Sequence, residues 1–121
     1  MQLLSREEHS ASRRFLISSA VWFVIGTLWG LASAIHLFAP DLFRNIPELE
    51  FGRMRPVHTN LVLFGFTSMG LMGGALYVVP VMLRTRLHAQ PLANLAMWLW
   101  NLALLLGASA LPYGYTQGRE Y

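Results

Sequence analysis

The chain has no cysteine and no lysine, and charged residues fill only 12% of its 121 positions. Without cysteine there can be no disulfide framework, thiolate metal cluster, thiol nucleophile or thioether haem attachment. The shortage of charge argues against an ordinary soluble domain, which carries about 25% charged residues. The few charges sit in four short stretches separated by three long segments that hold none. That distribution is the mark of membrane spans. There is no internal repeat, low-complexity segment, phosphate-binding loop or Ser/His/Asp arrangement, and no two histidines show metal-ligand spacing within one helix.

Hydrophobic residues make up 55% of the chain. The first uncharged run is Phe15 to Phe38, with Arg13 and Arg14 before it and Pro40 after it. The second covers about 57–81, entered through Pro56 and closed near Pro80. The third covers about 92–111, between Pro91 and Pro112. Each reaches the roughly 20 residues that a membrane helix needs. Proline suits helix starts and the residues after helix ends. The expected fold is therefore an all-α integral membrane unit of three transmembrane helices, with residues 1–121 as one segment. Trp22, Trp98, Trp100, Tyr113 and Tyr115 are available as interfacial anchors, with some of them sitting deeper. The triplet Ala32-Ser33-Ala34 suits a signal-peptide cleavage site, but the apolar run continues past it to Phe38, so the first helix is expected to stay.

All nine basic residues are arginines, the net charge is +3 and the isoelectric point is near 10.0. These arginines flank apolar spans and do not line one soluble face, so no nucleic-acid surface is expected. Arg6, Arg13, Arg14, Arg84 and Arg86 fall on one side of the membrane, against Arg44, Arg53, Arg55 and Arg119 on the other. The excess places the N-terminus and the 83–90 loop inside, and the 39–55 loop and the C-terminus outside.

The stretch that carries chemistry is Phe51-Gly52-Arg53-Met54-Arg55-Pro56-Val57-His58-Thr59-Asn60. Read alone, a histidine at the mouth of a membrane helix is more often packed or interfacial than a ligand. Three features favour a ligand here. Leu61, Val62, Gly65, Met69 and Met72 share a face below His58, and Gly65 leaves room for a flat macrocycle beside the backbone. Arg53 and Arg55 stand outside His58, where they suit the carboxylates of a porphyrin. Thr59, Asn60 or a backbone carbonyl could accept the second ring N–H that a ligating histidine donates. The plain alternatives are a helix-contact face and topology-setting arginines. His36 reads as interfacial, and His9 and His88 as solvated. The Gly26–Gly30 and Gly70–Gly74 pairs read chiefly as close helix packing.

The run from Gly52 to Asn60 resembles the opening of the second helix of subunit I in cbb3-type cytochrome c oxidases, the C family of haem–copper oxidases and near relatives of nitric oxide reductases. The tail Gly114-Tyr115-Thr116-Gln117-Gly118-Arg119-Glu120-Tyr121 resembles the segment after the family's third helix. The resemblance spans roughly residues 15–121 and implies the N-terminal part of a twelve-helix haem–copper oxidase fold. It makes His58 an axial ligand of a low-spin haem b and Arg55, with Arg53, a propionate contact. It makes Glu120 a carboxylate that helps to hold calcium. The second axial histidine, the second haem and the copper ligands belong to later helices of the family, so this chain is expected to be a fragment or a separately encoded piece.

The implied function is passage of electrons from cytochrome c to a haem–copper centre that reduces oxygen to water with proton pumping. The implied partners are the remainder of subunit I, c-type cytochrome subunits and the lipid bilayer, in a bacterial inner membrane. Thr67-Ser68-Met69-Gly70 departs from the expected family pattern and keeps a nitric oxide reductase open. A small non-enzymatic membrane protein with structural or assembly duties would share the composition and the three spans.

Overall fold

The computed structural model describes residues 8–115. Within them lie three helices long and apolar enough to cross a membrane, Ser10–Phe38, Phe51–Met82 and Gln90–Tyr113, and the described residues contain no strand. The all-α expectation holds. The helices run up, down and up. Gly73 of the second helix meets Phe15 and Leu16 of the first, while Gly30 of the first meets His58 of the second. At the third helix, Asn94 reaches Ser10 and Asn101 reaches Ser18, so the first and third run the same way.

Two helices begin earlier than the uncharged runs suggest. The first starts at Ser10, not Phe15, and draws Arg13 and Arg14 into its first two turns. The second starts at Phe51, and Pro56 lies inside it. Proline removes the hydrogen bond to the carbonyl four residues earlier and crowds it. That residue is Gly52, which is exposed, so water can take its carbonyl. The second span is 32 residues, about 48 Å at 1.5 Å per residue, against a hydrocarbon core of about 30 Å. A span of this length must tilt or extend past the apolar zone. The third helix covers Gln90–Ala110 and closes with a tight turn, Leu111–Tyr113.

The middle of the second helix, Leu61–Ser68, is wound as a π-helix. The hydroxyl of Ser68 bonds back to the Leu63 carbonyl at 2.8 Å, five residues earlier. The wide winding explains a spacing. Val57, Leu61, Gly65, Met69 and Gly73 are all buried, four residues apart each time. In a straight α-helix that repeat drifts by about 40° per step, which would carry it off the contact face. Turns closed five residues apart hold more residues and turn the drift back.

Trp22 joins the three helices. It is 4% exposed, its side chain fills the notch at Gly65, and its indole N–H donates to Asn101 Oδ1 at 2.8 Å. Trp22 is thus a core residue and not an interfacial anchor, whereas Tyr113 and Tyr115 are exposed at the end of the third helix. Many large apolar side chains face outward, Leu28, Leu71 and Leu106 among them. Lipid tails are as apolar as leucine, so such residues need no further burial in a bilayer.

Candidate functional site

His58 lies two turns into the second helix, half-buried against the first. Its Nδ1 is 2.7 Å from the carbonyl oxygen of Gly26. A carbonyl can only accept, so Nδ1 carries the proton. In the neutral ring this leaves the lone pair on Nε2. That nitrogen has no hydrogen-bond partner among the described residues and is not sealed off. The backbone of the first helix comes this close because Gly30 has no side chain: a Cβ there would sit 2.6 Å from His58 Cε1. Among the acceptors weighed from the sequence, the backbone carbonyl is the one used. Thr59 and Asn60 instead bond back to the carbonyls of Arg55 and Pro56, four residues earlier in their own helix.

An imidazole whose second nitrogen is fixed by a carbonyl is the usual form of a metal-ligating histidine. No group of three or more His, Asp or Glu stands together among the described residues. A single imidazole nitrogen of this kind can supply one donor to a metal.

Arg55 is exposed three residues before His58 on the same helix and makes no side-chain hydrogen bond or ion pair among the described residues. Side chains three apart on a helix are neighbours. Arg53 is different. Its Nη1 donates to the Pro112 carbonyl at 3.1 Å, tying the second helix to the end of the third. A guanidinium carries five N–H donors, so further contacts stay open to it. Glu120 lies outside the described residues, and the calcium reading with it.

Gly65 does not offer room for a macrocycle. A Cβ there would lie 2.7 Å from Trp22 Cβ and 2.9 Å from Trp22 Cγ. Leu61 and Met69 are 1% and 0% exposed. The face below His58 is a helix–helix contact, filled by an indole. An apolar groove of about 590 Å³ opens elsewhere, between the second and third helices, lined by Val57, Leu61, Phe64, Trp100 and Leu104, but not by His58.

Residues 10–121 match the family described as Cytochrome C and Quinol oxidase polypeptide I. The chain belongs to this family. It is 39% identical over 109 residues to the Cbb3-type cytochrome c oxidase subunit CcoN1 of Stutzerimonas stutzeri, covering 90% of this chain and 23% of that one. It is 40% identical over 107 residues to a cytochrome c oxidase subunit 1 homolog of Agrobacterium tumefaciens, covering 88% of this chain and 20% of that one. With cytochrome c oxidase subunit 1 of Rhodobacter capsulatus it shares 33% identity over 112 residues, covering 90% and 21%. The chain spans about a fifth of the length of these relatives.

Reading this polypeptide I chain by sequence alone missed a polar seam between its first and third helices. Ser10 Oγ and the Ala11 backbone N–H donate to Gln90 Oε1. Arg14 Nη1 donates to Asn94 Oδ1 at 3.2 Å, and Asn94 Nδ2 to Ser10 Oγ at 3.1 Å. Further along, Asn101 Nδ2 donates to Ser18 Oγ, and Trp22 to Asn101. The signal was present: polar or indole side chains at 10, 14, 18 and 22 face amides at 90, 94 and 101. His36 stacks parallel on Phe43, with centroids 6.2 Å apart, as an interfacial ring can. His88 is exposed, and His9 lies beside Glu8 and Tyr77.

Proposed function

We propose that this chain is the N-terminal membrane segment of an oxidase subunit I and that His58 Nε2 is an axial donor to a low-spin haem b. The carrying observation is the 2.7 Å contact of Nδ1 with the Gly26 carbonyl, which directs the free lone pair to Nε2. When bound, such a haem passes single electrons from cytochrome c toward a haem–copper centre on later helices, where oxygen is reduced to water with proton pumping.

This chain's own residues have three tasks in that reading. His58 supplies the donor, and the Gly26 carbonyl raises its basicity by accepting the Nδ1 proton's hydrogen bond. Arg55, exposed one turn outward, offers a planar cation to propionate carboxylates, and Arg53 can add its remaining donors. Trp22, packed into the notch at Gly65, fixes the second helix that carries His58 against the first. The calcium role of Glu120 rests on the resemblance alone. In this reading the N-terminus lies inside, in a bacterial inner membrane, and the arginine end of the second helix faces outside. The partners are the rest of subunit I and c-type cytochrome subunits. The relatives described above are named as cytochrome c oxidases, which favours oxygen over nitric oxide as substrate.

The test is a reduced-minus-oxidised spectrum of the complete oxidase carrying His58→Ala. Loss of the low-spin b-type band supports the assignment. A band of unchanged position and intensity would overturn it.

A further inference from the structure

The Gly26–Gly30 pair sits where close helix packing is expected, yet its two members meet different things. A Cβ on Gly26 would lie 3.2 Å from Val62 Cγ2 and 3.4 Å from Leu61 Cβ, both side-chain atoms of the facing helix. A Cβ on Gly30 would lie 2.6 Å from Cε1, 2.8 Å from Nδ1 and 3.3 Å from Nε2 of His58. The three atoms nearest to position 30 thus all belong to the imidazole, on the side that carries both nitrogens. Contacts under 3 Å between carbon atoms are far inside van der Waals range. The ring cannot yield a few tenths of an ångström without cost, because its Nδ1 is held at the Gly26 carbonyl.

The first helix thus grips the ring twice, by a carbonyl it offers and by a side chain it lacks. The hydrogen bond fixes which nitrogen is free. The notch limits how the ring can turn about that bond. We propose that Gly30 is a positioning residue that sets the rotational orientation of the His58 imidazole, and with it the plane and basicity presented to the haem iron. This rests on the reading of His58 as an axial ligand. A methyl at position 30 would turn the ring and stretch its bond to the Gly26 carbonyl. A weaker bond makes the imidazole a poorer donor, which destabilises the ferric state and raises the reduction potential.

The experiment compares Gly30→Ala with Gly73→Ala in the complete oxidase. Gly73 also lies between the first and second helices: a Cβ there would be 3.0 Å from Phe15 Cβ and Leu16 Cγ. It does not touch His58, so it reports packing alone. Electron paramagnetic resonance of the ferric low-spin haem and its midpoint potential are measured in both. Gly30→Ala is expected to shift the g values and raise the potential, and Gly73→Ala to lower thermal stability with both left in place. Unshifted g values and potential in Gly30→Ala overturn the proposal.

If Gly30→Ala assembles poorly, its thermal cost is compared with and without His58→Ala. The cost should vanish once the ring is gone. An undiminished cost would assign Gly30 to packing and overturn the proposal. The two readings separate cleanly: a low-spin signal that survives His58→Ala removes the ligand, whereas its loss there without a shift in Gly30→Ala removes only the role of Gly30.

Discussion

The first helix makes polar contacts with both of its neighbours, and two of them differ in character. Toward the third helix, Ser10, Arg14, Ser18 and Trp22 meet Gln90, Asn94 and Asn101 through a series of side-chain hydrogen bonds. Toward the second helix, the Gly26 carbonyl satisfies one nitrogen of His58 and leaves the other. Both contacts lie in apolar surroundings, where an unmet polar group is costly. A network of mutual hydrogen bonds holds helices in register. The His58 ring keeps its second nitrogen without a hydrogen bond among the described residues. The contrast teaches that polar content alone does not mark a site: most polar groups here hold one helix against another.

The comparison can be broken at several points. Trp22→Ala should have the largest effect on stability. It removes a buried indole that fills Gly65 and bonds Asn101, and such truncations cost about 3–5 kcal/mol. Thermal denaturation of the solubilised oxidase should show a clear drop, and an unchanged melting temperature would remove Trp22 from the core. Gly65→Ala comes next. Its Cβ would meet Trp22 Cβ at 2.7 Å, and overpacking of this kind costs about 1–3 kcal/mol. Combined with Trp22→Ala, that cost should disappear in the same assay.

Asn94→Leu sharpens the seam. It strips Arg14 and Ser10 of an amide partner, and bonds between membrane helices are worth roughly 0.6 kcal/mol each on average. The expected loss is about 1–2 kcal/mol, with the low-spin haem spectrum unchanged; a changed spectrum would join the seam to the ligand site. Ser19→Ala is the smallest change. Its hydroxyl donates to the Phe66 carbonyl in the wide-wound segment at 2.8 Å, and its removal should cost about 0.5–1 kcal/mol in the same denaturation.

Much of this arrangement is legible in the sequence, and the exceptions have physical causes. The spans show because charge is absent from them, but absence of charge marks the apolar stretch and not the helix. The first helix therefore begins before Phe15, taking Arg14 in because Asn94 receives its guanidinium, and the second begins before Pro56. His58 stood out through the arginines before it, the apolar face below it and the polar residues beside it. Its acceptor did not, because every residue has a carbonyl and only the approach of two helices selects Gly26.

Glycine marks close approach at Gly26, Gly30 and Gly70 but not at every position where the spacing suggests it. Gly65 admits an indole rather than a macrocycle, and Gly74 faces open space while Gly73 makes the tight contact. The π-wound segment had no sequence signal beyond its consequence, the four-residue repeat from Val57 to Gly73.

The central claim is that the His58 ring itself donates to iron. Replacing it by His58→Gly in the complete oxidase, then supplying free imidazole, tests this most directly. The account predicts that the low-spin b-type band is lost and returns as imidazole is titrated in. A full band before any imidazole is added would contradict it.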